Sequence, residues 1–391
     1  MKSNGTMKVN QKDLLGAMRK VQKVTDHKAN QPILANVLIE TRSESKIAIQ
    51  GTDFEQAGEF LVNAVCNGVV SFTVNAKRLT TLLRKLPKGS ELTVANGKGK
   101  DGPSRYVDEW ATISANGTDY NIATMPVEEY PPFPIIEGPT FKVCDKFWEG
   151  VAKTIHATST DETRYTLNGI KVEIDGEMVK LIATDGHQMA VYEYQGGEAV
   201  SPIETILPRK GIHTAHAWFK GQEAWLTLGD NHGAFWSADR SMIIRNIEGQ
   251  FPNYEQIIEE RNDVFTVDAD ALKTAIGGVA IMASDKSKGV LFEADMGRPY
   301  NPLTHALDLP YQDQHIVLRT EDTEIGNAQG KVAAEINHYF KIYLNSGYVL
   351  NALKAADSER VAITFHDHLA PIQIRPVGSD EFLAVVMPMR F

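Results

Sequence analysis

Residues 181–194 read LIATDGHQMAVYEY and set Asp185, Gly186 and His187 side by side inside an apolar strand pattern. A carboxylate beside an imidazole is the pair a hydrolase uses to orient a general base. The same residues also suit a tight turn with a polar tip. A dyad needs a nucleophile, and the GxSxG motif is absent, as are HExxH, paired CxxC and the phosphate-binding P-loop. Cys66 and Cys144 stand far apart and suggest neither a disulfide framework nor a metal site, so a reducing cytoplasm and no cofactor are the expectation.

The chain contains its own control. GTDFEQAGEF at 51–60 aligns with ATDGHQMAVY at 183–192: Thr52 and Asp53 match Thr184 and Asp185, Gln56 matches Gln188, and Glu55 stands where the other copy has His187. What the copies share is Thr-Asp, the chemistry of a side chain bonding its own local backbone. Catalysis at His187 is therefore not expected.

The elements that position this turn recur three times. MKVNQKDLLGAMRKV, FKVCDKFWEGVAKTI and FTVDADALKTAIGGV, starting at Met7, Phe141 and Phe265, place apolar residues at the same offsets: Val9, Leu14, Ala17 and Val21; Val143, Trp148, Val151 and Ile155; Val267, Leu272, Ala275 and Val279. A step of two followed by steps of three and four predicts a short strand running into an amphipathic helix. LANVLIE (34–40), LNGIKVE (167–173) and SKGVLFE (287–293) follow as strands. A further strand-then-helix trio aligns Val74, Leu207 and Leu344, then Leu79, Ile212 and Val349. Pro-containing connectors at 125–139 and 247–258 precede the second and third repeats. The expected architecture is α+β, three tandem similar domains of two strand-helix-strands halves each, over 1–134, 135–260 and 261–391.

Formal net charge is −10, which by itself argues against a nucleic-acid partner. Its distribution argues otherwise. Residues 11–24 carry +3, 76–88 carry +5 with no acid, and 208–220 carry +3, while 145–158 balance and the two third-repeat helices, 268–280 and 346–359, are each −1. One basic helix face is usually solvated surface. Basic helices at equivalent places in related repeats can instead hold phosphates without reading bases. No apolar run approaches the roughly 20 residues that span a bilayer, and MKSNGTMKVNQ lacks the apolar core of a signal peptide. The first six residues read as an extension ahead of Met7. The C-terminal LAVVMPMRF ends a strand at Val385 and Val386, after which Pro388 stops pairing. Two methionines and Phe391 there suit a groove that admits several partners.

QPILANVLIE, GTDFE, RYTLNGIKVE, ATDGHQMAV, LPRKG, FPNYEQII, YVLNALK and VVMPMRF together resemble the bacterial β sliding clamps, the processivity subunits of the replicative DNA polymerase III holoenzyme, in the family's order over essentially the whole chain. The resemblance implies the DNA-clamp fold, closed head-to-tail as a homodimeric ring with helices around the hole and sheets outside. It implies no catalysis, sequence-independent binding of double-stranded DNA, and polymerase, clamp loader and repair proteins docking through clamp-binding peptides. ATP-driven opening would belong to the loader.

Position by position, the resemblance assigns DNA contacts to Lys28, Lys77, Arg78, Arg84, Arg164, Tyr165, Arg209 and Lys210. It assigns the partner-peptide pocket to Leu167, Thr184, Gly186, His187, Gln188, Met189, Pro252, Ile257, Pro371, Val385, Val386, Met387, Pro388, Met389, Arg390 and Phe391, with Asn345 and Tyr348 nearby. It pairs Tyr120 and Ile122 with Ile281 and Met282 of the neighbouring subunit. The sequence departs from the family at Gln188, where Arg is frequent, at Phe391, where Leu is usual, and at Thr166, where an aromatic is expected; residues 294–338 match it poorly. Two other readings make different predictions: an enzyme using Asp185 and His187 would lose turnover on His187→Ala, and a monomeric DNA-binding scaffold would bind linear DNA as a 43.2 kDa particle.

Overall fold

The computed structural model describes residues 5–97, 110–196, 202–258, 263–284, 287–296, 314–322 and 326–390. Phe391 and residues 297–313 of the poorly matching stretch lie outside these. The repeat template becomes structure in all three copies. Strands Thr6–Asn10, Thr140–Val143 and Asp263–Asp268 run into helices α1 (Gln11–Val21), α3 (Asp145–Thr154) and α5 (Ala269–Val279). The second trio gives α2 (Ala76–Lys85), α4 (Arg209–Phe219) and α6 (Ser346–Ala356).

The apolar offsets are buried as the periodicity requires, with Ile155 and Ala275 half-exposed exceptions. Polar caps start four of the helices: Asn10, Asn75, Asp268 and Asn345 each accept a main-chain N–H of the first turn, a contact worth about 1 kcal/mol per helix. The middle strands begin two residues later than the pattern suggests, at Asn36, Gly169 and Gly289. Leu34 and Leu167 lie instead in 3-10 turns, Pro32–Ala35 and Glu162–Leu167, and reach the core from there.

The chain divides into two compact units, one of residues 1–145 with 210–246, the other of 146–209 with 247–391. Each is built on a twelve-stranded antiparallel sheet system. In the first unit the path runs Thr118–Ala123, Trp110–Ala115, Glu91–Gly97, Thr6–Asn10, Gln56–Asn67, Arg240–Arg245, His232–Trp236, Ala224–Leu228, Thr140–Val143. The long strand Gln56–Asn67 joins strands from two repeats, pairing Gly58 with Met242 and Phe60 with Arg240. Trp218 of α4 presses so close to this strand that a Cβ on Gly58 would stand 2.4 Å from its Cη2. Only glycine fits there.

In the second unit the path runs Ile203–Pro208, Gly169–Asp175, Met178–Thr184, Gln188–Gln195, Phe382–Val386, Ile372–Pro376, Arg360–Thr364, Asp263–Asp268, Gly326–Ile336, His315–Asp322, Gly289–Asp295, Lys341–Asn345. Here Gln188–Gln195 makes the inter-repeat junction, pairing Ala190 with Ala384 and Tyr192 with Phe382. Strands of the middle repeat thus enter both units, because each repeat offers one sheet edge to its neighbour. No helix among the described residues is long and apolar enough to cross a membrane.

Candidate functional site

The Asp-Gly-His stretch is a three-residue turn between Met178–Thr184 and Gln188–Gln195. Asp185 Oδ1 accepts the main-chain N–H groups of His187 (2.8 Å) and Gln188 (2.9 Å), and Oδ2 accepts Gln188 Nε2 (2.9 Å). Thr184 Oγ1 donates to Gln188 O (2.8 Å) and accepts from Gly186 N (3.1 Å), where φ is +87°. The His187 ring stacks on Tyr348, with centroids 6.3 Å apart and 9° between planes. The carboxylate therefore organises backbone rather than an imidazole.

The turn at 52–56 repeats this pattern bond for bond. Asp53 Oδ1 accepts Glu55 N (3.1 Å) and Gln56 N (2.8 Å), Oδ2 accepts Gln56 Nε2 (3.2 Å), and Thr52 Oγ1 bonds Gln56 O (3.0 Å) and Phe54 N (3.1 Å). A glutamine after each turn thus acts as a brace. Gln188, assigned by resemblance to the pocket, is buried, with its amide also 3.4 Å from His156 O. Burial holds the His156 imidazole below its ordinary pKa, opposed in part by a hydrogen bond with the Lys153 main chain and then by the charge of Asp185.

The C-terminal tail closes one side of this turn. Val385 and Val386 pair with Met189 and Gln188, and Met387 N donates to His187 O (2.9 Å). At Pro388, which has no N–H to continue that pairing, the chain crosses to strand Lys341–Asn345: Pro388 bridges Leu344, and Met389 N donates to Tyr343 O (2.8 Å). Beneath it Leu167, Met189 and Val385 join an apolar cluster with Ile182, Val191, Ile206, Phe251, Tyr254 and Leu383.

Above that floor the surface is open. Ile257 and Met387 are each 38% exposed; Gly186, His187, Pro252 and Arg390 are exposed; Thr184, Asn345, Tyr348, Pro371, Pro388 and Met389 are half-buried; Val386 is buried in its strand. Leu369, 63% exposed, was not singled out from the sequence. It sits in a turn where Asp367 Oδ1 accepts Leu369 N (2.7 Å) and Ala370 N (2.9 Å), just before Ile372 pairs with Val386. The signal was there in the Asx-turn pattern DHLAP.

The wall carrying Pro252 and Ile257 is held by a polar brace: Tyr254 Oη donates to Glu173 (2.8 Å), and Lys171 pairs with Glu173 (2.7 Å) and Glu204 (2.9 Å) while lying 6.0 Å from the Phe251 ring.

Of the basic residues, Lys28, Lys77, Arg78 and Arg84 are exposed in the first unit. None of the cations on α1 and α2 enters an ion pair among the described residues, and neither do Lys23 and Lys88 just beyond them. Lys210 differs: its Nζ lies 2.6 Å from Asp53 Oδ2. Burial opposes its charge, but the hydrogen bond and charge of Asp53 outweigh that and raise its pKa. In the second unit Arg209 is exposed, Arg164 Nη1 donates to Asp185 O (3.1 Å), and Tyr165 is exposed. Tyr120 and Ile122 lie half-buried on Thr118–Ala123, which among the described residues is an edge strand paired only with Trp110–Ala115. Ile281, 71% exposed, and Met282 form the 3-10 turn after α5. Among the described residues no group of three or more His, Cys, Asp or Glu is placed to hold a metal.

Tandem α+β repeats joined edge to edge, with an exposed apolar surface beside one junction and, among the described residues, cations of α1 and α2 outside any ion pair, define a clamp-type scaffold. Three family models agree: the N-terminal, central and C-terminal domains of the DNA polymerase III beta subunit match residues 6–134, 143–253 and 302–390. The chain belongs to that family, the sliding clamps. A relative named beta sliding clamp from Synechococcus elongatus is 24% identical, covering 97% of this chain and 98% of its own. The crystal structure of the DNA polymerase III subunit beta from Pseudomonas aeruginosa superposes with a TM-score of 0.87 at 22% identity, over 99% of this chain and all of that one. A second structure from that organism, a sliding clamp bound to griselimycin, gives 0.86 at 22% identity over the full length of both.

Proposed function

We propose that two copies of this chain close head-to-tail into a ring around duplex DNA and carry partner proteins along it through peptides docked in the 184–189 groove. The clamp itself performs no chemistry. Its domains would be 1–134, 135–260 and 261–391, and its working place the cytoplasm.

One observation carries the ring. Each inter-repeat junction pairs equivalent residues, Gly58 with Met242 and Ala190 with Ala384. Among the described residues the first and last repeats each keep one such edge unused: Thr118–Ala123, and the Gly326–Ala333 stretch opposite its partner strand. Continuing the same register sets Tyr120 of one copy against Ala328 of the next, and Ile122 against Gly326. Met282 stands beside that edge, its Sδ 3.8 Å from where a Cβ on Gly326 would be. A long edge strand left unpaired is a template for another chain, and a heterologous contact of this kind closes after two copies when the repeats turn by equal steps.

The unpaired cations of α1 and α2, with Lys28 and Arg209, would face the phosphates. Encirclement replaces affinity, so these contacts can be few and blind to sequence. The groove suits an apolar anchor because its floor is apolar and its rim would be built of Met387, Ile257 and Leu369. Griselimycin, bound to the related Pseudomonas clamp, is a ready probe for it.

Negative-stain imaging of the purified protein at micromolar concentration tests the reading directly. Rings with a central hole and six-fold pseudo-symmetry are expected. Compact particles without a hole, persisting as concentration rises, would overturn it in favour of a monomeric scaffold.

A further inference from the structure

The two Thr-Asp turns share a backbone and differ in what faces them. In the first, Lys210, the second residue of α4, places its ammonium 2.6 Å from Asp53 Oδ2. The equivalent residue of α6 is Gly347: Pro208 pairs with Gly169 ahead of α4 as Asn345 pairs with Gly289 ahead of α6. The turn differs as well. Phe54 holds a left-handed φ of +72° where the second copy has Gly186 at +87°. The second junction thus lacks both large side chains that crowd the first.

We infer that Asp185 receives a cationic side chain of the docked peptide, in the place that Lys210 occupies at Asp53. This rests on the docking reading above and specifies its partner: an apolar peptide carrying a lysine or arginine. Asp185 Oδ1 is committed to two main-chain N–H groups, and Oδ2 accepts only Gln188 Nε2. Among the described residues Asp185 has no ion-pair partner. Arg164 reaches only its main-chain oxygen. Lys288 runs its chain 4.0 Å from where a Cβ on Gly347 would stand, without pairing to it. Its other charged or titratable neighbours include His187 in the same turn, His156 and Tyr348, the last with its phenol pKa raised by burial and then by the Asp185 charge. A half-buried carboxylate beside an apolar floor gains from a counter-charge more than an exposed one does.

The test titrates the full-length protein, by calorimetry, with acetylated, amidated tetrapeptides whose last two residues are leucines, chosen to meet the apolar floor. Each of the two preceding positions carries lysine or its uncharged isostere norleucine. At one position the lysine peptide is expected to bind about fivefold or more tightly. Asp185→Asn keeps an Oδ1 acceptor for both main-chain bonds but gives up the acceptor that Gln188 Nε2 uses, so it is read by the ratio of the two affinities alone: the lysine preference should be lost whatever the norleucine peptide does. Gly347→Lys, which supplies a tethered cation, should lose the preference too. Equal affinity for both peptides, in the wild type and in Lys288→Ala alike, overturns the charge proposal and leaves the groove standing. Binding of neither peptide removes the groove, and the charge proposal with it.

Discussion

The Nζ of Lys210 lies 2.6 Å from Oδ2 of Asp53, a carboxylate whose side chain is 5% exposed. This pair ties the start of α4 to the turn after Lys46–Thr52. Removing the lysine leaves a buried charge without its partner, whereas the lysine itself is well solvated. Lys210→Ala is therefore expected to cost about 1–3 kcal/mol, read as a lower urea midpoint with unchanged slope. An unchanged midpoint would show the pair to be a solvated contact.

The cations of α2 make the opposite prediction. Lys77, Arg78 and Arg84 have no acidic partner among the described residues, so their loss leaves nothing stranded. Each alanine substitution should leave the urea midpoint within about 0.5 kcal/mol. Each phosphate contact removed should lower the dependence of log Kobs on log salt by about 0.9 for a short duplex. Lys210→Ala should move that slope less than any of the three.

Phe54 adopts a left-handed φ of +72° while 54% exposed, a conformation that costs an L-residue roughly 1–2 kcal/mol. Phe54→Gly should therefore raise the stability of the protein by about 0.5–1 kcal/mol, measured by urea unfolding. The reverse holds for Gly186→Ala, whose Cβ would meet Arg164 Nη1 at 3.1 Å in a backbone that favours glycine. A stabilised alanine variant would contradict this account of the turn.

His156 has a folded-state pKa below its ordinary 6.5, chiefly through burial. A depressed pKa means that the unfolded chain binds more protons at mildly acidic pH. The stability it contributes is complete above about pH 7 and is lost as pH falls from 6.5 toward the folded pKa. Urea midpoints taken from pH 7.5 to 5.5 should fall in the wild type and fall less in His156→Gln. Parallel curves would place the acid sensitivity elsewhere.

Strand pairing between copies puts Ala328 opposite Tyr120 in the proposed register. Ala328→Glu should bury a charge at that contact and convert a dimer to monomers, with the dimer dissociation constant raised on the order of a hundredfold or more. Sedimentation velocity across a concentration series reads this out. An undisturbed dimer would show that the copies meet at another edge.

The threefold strand-then-helix pattern was legible because a step of two and steps of three and four are local properties of a chain burying one face. The turn was legible for a similar reason: Thr-Asp bonds its own backbone, and the second copy at 52–56 exposed the shared part. The resemblance to the clamps rested on such local stretches. Other features depend on distance along the chain. Nothing local to Lys210 announces a partner 157 residues away, and nothing near Gly58 announces Trp218. Gln188 sits in a groove-forming segment, yet its amide turns inward to Asp185 and His156 because the turn needs a brace more than the rim needs an amide.

Which residues alternate, which cap helices and which make turns can be read along the chain, since those choices are settled within a few residues by backbone sterics and burial of one face. Which edges meet emerges only in the folded molecule. Folding sends the tail across at Pro388 to Lys341–Asn345 and divides the middle repeat between two sheet systems. Those outcomes depend on the fit of surfaces brought together from distant parts of the chain, and a periodic pattern carries no record of its partner.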